Sequence, residues 1–432
     1  MNGPVVQFRL WMTLALLCLL YILSFIDRFM LALLVTPMKA DLGLSDLQLG
    51  LLFGTFFAIL YGLLGVPLAR LADRGNRKRV ILAGVLFWSA CTLGSAFAQN
   101  YATLALLRAG LAIGEAALTP TALSILTDAF PERKRGLAAT LYTASGMLGA
   151  SLFFVIGAGV LAGAEEIARG VDLAVWRIAF ILVGLPGFVL AALFAFVVRE
   201  PRLGEHAVSP SLGGVVSYLR ANARFYGGLF AGAGAAQMLG YALAAWSLVL
   251  VQRTYGIDVK EAGLLLGVGN AFALVGGTLV MPTVFRMAGA YSPQMGACLP
   301  AVAVASGMAL IIIGLQSASL PVFLSLIAFG NFLVTGTVNA IQILIQPIAP
   351  PRMRATITAL LLICISCFGL GLGPPLAALA AEFFGGGIGV GLTVLAVVDL
   401  VLAVGALALA TRPLRDAFAD TAPAETYVKS PA

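Results

Sequence analysis

Long apolar runs, separated by short clusters of charge, Gly and Pro, dominate the chain from residue 11 to residue 411. An α-helix needs about 20 mainly apolar residues to cross a hydrocarbon layer. Twelve runs meet that need, near 11–34, 47–71, 79–98, 101–129, 135–162, 177–198, 222–251, 260–285, 293–315, 319–347, 352–381 and 387–411. Gly and Pro recur inside them without ending them, since membrane helices tolerate both. The first run is too long for a leader core and lacks a small-residue cleavage site, so it predicts a retained span. The expected fold is an all-α integral membrane protein of twelve transmembrane helices.

Composition turns that pattern into an exclusion. Of 432 residues 61% are hydrophobic and 10% charged, with a mean hydropathy of +1.02, whereas an ordinary globular domain carries about 25% charged residues. A water-soluble enzyme is ruled out. Cys18, Cys91, Cys298, Cys364 and Cys367 lie in apolar runs and read as small buried hydrophobes. No metal cluster or cofactor motif stands out: the one histidine, His206, falls between runs, the C-x-x-C at Cys364 has no partner pair, and no phosphate-cradling loop of the ATPase type occurs. An intramembrane enzyme would need a nucleophile and base or a metal that the chain does not supply.

The net charge of +7 reports orientation and not nucleic acid. Arg9, Arg70, Arg74, Arg77, Lys78, Arg79, Arg133, Lys134, Arg135, Arg199, Arg202, Arg220, Arg224, Arg286, Arg352, Arg354, Arg412, Arg415 and Lys429 fall on one side of the spans. Lys39, Arg169, Arg177, Arg253 and Lys260 fall on the other. The positive-inside rule then places both termini and the loop around 199–221 in the cytoplasm, in a plasma (inner) membrane if the source is bacterial. The chain also repeats itself. GLSDLQLGLLFG from Gly43 returns as GIDVKEAGLLLG from Gly256, and PERKRG from Pro131 returns as PPRMRA from Pro350, each about half the chain later. Six spans separate the copies, so they keep one orientation in the membrane. The expected organisation is a six-helix bundle over 1–198, a cytoplasmic linker over 199–221, a second bundle over 222–411 and a disordered tail over 412–432.

ARLADRGNRKR (Ala69 to Arg79), RAGLAIGEA (Arg108 to Ala116) and PERKRG after span 4 resemble the motifs of the major facilitator superfamily, over essentially the whole chain. FIDR in span 1 (Phe25 to Arg28), Asn76 before Arg77 and Lys78, and the GEA of span 4 are most similar to the Spinster lipid transporters. Ala69 departs from the usual Gly of the first loop motif, which bears on helix packing and leaves the charge pattern intact. The resemblance implies secondary transport by alternating access, with lysolipid or sphingoid-phosphate cargo.

Ionisable groups at bilayer depth cost roughly 2.5–3.5 kcal/mol each on insertion scales and are functional by default when they face a bundle interior. Asp27 and Arg28 in span 1 and Arg108 and Glu115 in span 4 are such groups. Arg108, Glu115 and Thr119 share one helical face. Either they form buried ion pairs that join spans 1 and 4, or they couple protons to cargo. In the second case an anionic headgroup draws Arg28 or Arg108 away and changes the protonation of Asp27 or Glu115. The Spinster resemblance implies the same four residues. The second half has Gly240 and Val334 at the repeat positions of Asp27 and Glu115, and instead a polar stripe in span 10: Asn331, Thr335, Asn339, Gln342 and Gln346. The stripe suits a headgroup or bound water, or hydrogen bonds between helices. Tyr142 and Ser145 in span 5, Gln237, Tyr241 and Trp246 in span 7 and Asn270 in span 8 are further cavity candidates. Asp399 in span 12 is expected to have a structural partner.

Asp73 ends span 2, followed by Arg74, Arg77 and Lys78, and a carboxylate at a helix end can pair with a basic loop or a facing helix N-terminus. Arg135 and Arg354 are repeat-related partners of the right kind. The superfamily resemblance implies that these residues lock the cytoplasmic side; the plainer alternative is that they only anchor orientation. The expected partners are the lipid bilayer, protons and an amphipathic substrate, with no nucleic acid and no cofactor, and a monomer is expected. A sugar, organic anion or hydrophobic drug fits the same composition.

Overall fold

A computed structural model describes residues 4–200, 212–350 and 353–421, all helical apart from the turns, with no strand among the described residues. The first six helices are α1 (Pro4–Leu42), α2 (Asp46–Gly50, a π-helical turn Leu51–Thr55, then Phe56–Arg74), α3 (Arg77–Ser95), α4 (Tyr101–Ala116 and Leu118–Ala129), α5 (Glu132–Ala168) and α6 (Val175–Val197). A short helix α7 (Leu212–Ala221) precedes α8 (Ala223–Tyr255) and α9 (Val259–Ala271, a π-helical turn Phe272–Gly276, then Gly277–Tyr291). Then come α10 (Pro293–Leu315), α11 (Leu320–Ile348), α12 (Arg354–Cys364, a π-helical turn Ile365–Leu370, then Gly371–Phe384) and α13 (Gly387–Thr421).

The helix ends follow local chemistry. Ser45 and Gln48 form a capping box at the start of α2, and Asn76 and Asn100 accept from the backbone N–H groups of Arg79 and Thr103 at the starts of α3 and α4. Gly43 and Gly256, the first residues of the repeated GLSDLQLG and GIDVKEAG segments, both close their preceding helices with φ of 63° and 67°, a region open mainly to glycine. The repeat seen in the letters is therefore a repeat in backbone conformation.

Eleven helices among the described residues are long and apolar enough to cross a membrane. The expected third span is present as α3 but falls outside that set, because Arg77, Lys78 and Arg79 fill the first turn of a 19-residue helix. The polar body of the expected linker, 201–211, and the end of the expected tail, 422–432, lie outside the described residues. Residues 412–421 continue α13, where Leu414 is buried.

Two compact units are defined by their internal packing. The first comprises the described residues of Met1–Ala207, Tyr241–Ala271 and Leu370–Leu392, and the second those of Val208–Gly240, Phe272–Gly369 and Thr393–Ala432. In the first unit α1 packs on α5 and α6, and α3 on α4 and α6. Gly84 and Gly114 bring α3 and α4 to backbone contact, each lying where a Cβ on the other helix's glycine would meet a carbonyl oxygen. In the second unit α11 packs on α10 and on α9. Gly228 and Gly232 of α8 receive Ala406, Ala410 and Leu407 of α13.

Candidate functional site: buried charges of the first unit

α1 and α4 bring the four intramembrane charges together. Arg28 donates from Nη2 to Glu115 Oε2 at 2.6 Å, with side chains 9% and 1% exposed. Arg108 pairs with neither carboxylate: its Nη1 and Nη2 donate to the main-chain carbonyls of Asp27 and Arg28 at 3.1 and 2.8 Å. The Asp27 carboxylate is buried, and neither oxygen has a hydrogen-bond partner among the described residues. Trp88 and Thr92, one turn apart on α3, face it with their own Nε1 and Oγ1 also without partners. One expected ion pair thus exists, Arg28 with Glu115, and the other two charges are arranged differently.

Arg28 is held by rings as well as by charge. Its guanidinium carbon lies 4.2 Å from the centroid of Phe57, 5.0 Å from Phe25 and 5.3 Å from Tyr61, distances at which a cation is attracted to a ring face. Tyr21 stacks on Tyr142 at 4.7 Å, in the space that Gly146 leaves open, and Phe29 stacks on Tyr241 at 6.4 Å. Tyr142 OH is 3.4 Å from Thr119 Oγ1, while Ser145 bonds back to the Tyr142 carbonyl. Asp27, Arg28, Arg108, Glu115, Thr119, Tyr142, Ser145 and Tyr241 therefore all belong to the first unit. Phe57, Tyr61, Trp88 and Thr92 were not singled out by sequence, and Phe25 only as the first residue of FIDR. For Trp88 and Thr92 the available signal is their i, i+4 spacing on one face; for the aromatics there is none, since apolar rings are ordinary in a membrane helix.

Other candidates have other duties. Asn270 donates to the Ala150 carbonyl at 2.7 Å and Trp246 to the Pro374 carbonyl at 3.0 Å, both within the first unit. In the second unit Asn339 donates to Thr278 Oγ1 of α9 at 2.7 Å and accepts from Gln342 at 3.3 Å. Part of the span 10 stripe thus joins helices. Thr335 is buried, and Asn331 Oδ1 and Gln237 Oε1 have no hydrogen-bond partner among the described residues. The Gln346 side chain lies outside the described set. Among the described residues Asp399 has no side-chain partner: its buried carboxylate faces the main chain of α8 at Leu239.

At the basic end, Arg77 reaches Asp128 and Ser124 of α4 and Glu200 beyond α6. Glu200 also accepts from the Lys78 backbone N–H at 2.7 Å, capping α3, while Lys78 Nζ donates to the Ala195 carbonyl at 2.6 Å. Burial alone would lower the Arg77 guanidinium's proton affinity. The hydrogen bonds and charges of Asp128 and Glu200 outweigh it and hold Arg77 above its ordinary range, so it stays charged. Arg135 and Arg354 make one and the same contact in their own units: each Nε donates to the carbonyl five residues earlier, Phe130 and Ala349, at 3.1 and 3.0 Å. The side chains of Asp73 and Arg74 lie outside the described set.

Membrane-length helices that bury charges among aromatic rings fit the class of membrane transporters. More specifically, the chain belongs to the Major Facilitator Superfamily, which its residues 17–374 match. The crystal structure of a bacterial homolog of the human lysosomal transporter Spinster, in an inward-facing and unoccupied conformation, superposes with a TM-score of 0.84 at 25% identity over 100% of both chains. An MFS-type efflux pump of Mycolicibacterium smegmatis is 31% identical over 276 residues, 63% of this chain and 62% of the pump. Protein spinster homolog 1 of Rattus norvegicus is 32% identical over 205 residues, 45% of this chain and 36% of that protein. The chain thus spans less than two thirds of the length of these two relatives.

Proposed function

We propose that the protein is a proton-coupled secondary transporter of an amphipathic anion, a lysophospholipid or sphingoid phosphate, working by alternating access with both termini in the cytoplasm. The observation that carries this reading is the division between the two acids. Glu115 neutralises Arg28, while the Asp27 carboxylate, 1% exposed, has no cation bonded to it among the described residues. An anion that binds Arg28 competes with Glu115 for it, and an acid that loses its cation at bilayer depth must take a proton or be hydrated. Asp27 is the resident proton site and Glu115 the site that cargo exposes. The aromatic rings around Arg28 suit the apolar part of an amphipathic molecule beside its headgroup, and likeness to the Spinster proteins supports a lipid. One proton crossing 100 mV supplies about 2.3 kcal/mol to the cycle.

The test is flux in liposomes with an internal pH dye. Wild-type protein is expected to move protons when lysophospholipid is added, and Asp27→Asn and Glu115→Gln to lose that movement. Wild-type proton flux in both variants overturns the coupling. The likeness to an efflux pump favours one second reading, export of hydrophobic drugs, which a drug-active, lysolipid-inactive profile in the same liposomes would establish.

A further inference from the structure

Pro374 and Pro375 are consecutive inside α12. A proline has no N–H, so the carbonyl four residues earlier loses its helical donor; here those carbonyls belong to Leu370 and Gly371. At membrane depth a freed carbonyl has no water to turn to and needs a partner from a neighbouring helix. Both neighbours are on α2. Thr55 Oγ1 donates to the Gly371 carbonyl at 2.6 Å. The Leu370 oxygen lies against Gly54, so close that no Cβ fits there, and one turn earlier Gly50 receives the backbone of Pro374 and Pro375.

These residues lie towards the end of the first unit that carries Lys39, Arg177, Arg253 and Lys260, here called the far end. Asp46, at the start of α2, accepts from Lys39 at 2.7 Å and faces Arg253 of α8 at 3.5 Å. Lys260 of α9 approaches Glu165 of α5 at 3.8 Å. All five of these groups are partly exposed, and such pairs contribute little. Besides these pairs, α2 meets α12 through the backbone contacts at Gly50 and Gly54, the short Thr55 hydrogen bond and a longer one from the Leu47 N–H to Glu382, and α9 meets α5 at Gly263 and Gly267.

We propose that Thr55, beside the Gly54 notch, is a latch: it supplies the donor that the double proline removes from α12, and supplies it only while the far ends of α2 and α12 are together. Parting them takes that donor from the Gly371 carbonyl, which must then find another partner, so the bond biases the far end towards closure. The π-helical turns Leu51–Thr55 and Ile365–Leu370 sit at or just before the latch, where such turns commonly mark functional segments. The latch is a local feature; its consequence for the transport cycle rests on the alternating-access reading.

The test uses full-length protein in nanodiscs, its five cysteines replaced, with spin labels at Val171→Cys and Phe384→Cys, both exposed at the far end. Thr55→Val, which keeps the shape and removes the donor, is expected to raise the ratio of long to short label distances about three- to tenfold, the range of an interhelical hydrogen bond in a membrane. Thr55→Ser is expected to match wild type, and Gly54→Ala to lengthen the distance by denying the notch. A Thr55→Val distribution identical to wild type overturns the latch. Wild-type flux in liposomes separates the two claims: wild-type flux with labels unmoved by Thr55→Val leaves transport standing and removes the latch, whereas labels moved by Thr55→Val with no wild-type flux of any cargo keep the latch and remove the transport reading.

Discussion

At the residue scale, the same chemistry has opposite consequences depending on whether a partner is present. Glu115 compensates a buried guanidinium, so removing its charge strands Arg28 in the bundle; breaking such a pair costs about 3 kcal/mol or more. Among the described residues Asp399 has no cation bonded to it, and its carboxylate faces the main chain of α8. Asparagine keeps its shape without a charge. Glu115→Gln is therefore expected to lower the melting temperature of the purified protein, and Asp399→Asn to leave it unchanged or raise it. The reverse order in a thermal-unfolding assay would refute this assignment. The four central charges were legible in the sequence because lipid makes charge expensive, so each one stands out against a background of Leu, Ala and Phe. Their pairing was not legible. Nothing in the letters says that Arg108 would bond to carbonyls of Asp27 and Arg28, or that Trp88 and Thr92 would face Asp27, because those choices depend on how α1, α3 and α4 rotate against one another.

At the element scale, α3 shows how a helix can be anchored by charge at one end and by glycine along its length. Its first turn is the basic triplet Arg77, Lys78 and Arg79, which makes it the least apolar of the expected spans. That same triplet fixes it. Arg77, fully buried, divides Nε and Nη1 between Glu200 and Asp128, and Glu200 caps the helix through the Lys78 N–H. A lysine could not hold both carboxylates, since it offers a point charge where Arg77 offers a planar fork. Arg77→Lys and Arg77→Ala are both expected to destabilise the first unit, by about 3 kcal/mol, as measured by thermal unfolding; a lysine variant as stable as wild type would show that the fork is dispensable. Sequence placed Arg77 and Lys78 just before span 3 and read them for a gate. It missed Asp128 and Glu200 because an acid at a helix end looks like any solvated residue until the helices are brought together.

At the scale of the whole molecule, the repeat explains why so much of the architecture could be read in advance. Gly43 and Gly256 share a left-handed backbone, and Arg135 and Arg354 each cap the carbonyl five residues behind, so two copies of one plan survive where backbone geometry requires particular residues. Where geometry does not require them, the copies have diverged, with charges in the first half and amides in the second. The repeat also bears on orientation, because an even number of spans between copies leaves every corresponding loop on one side. The basic residues that follow spans 2, 4, 6, 8, 10 and 12 then point to one compartment, and moving that many cations across a membrane during insertion is opposed both by desolvation and by the inside-negative potential. A single cysteine at Glu132, exposed at the start of α5, is expected to react with a membrane-impermeant maleimide only after cells are permeabilised. A single cysteine at Leu173, exposed between α5 and α6, should react in intact cells. The opposite pattern would invert the protein in the membrane and, with it, which end the Thr55 latch closes; labelling of both sites in intact cells would break the even-span count on which the two-bundle plan depends.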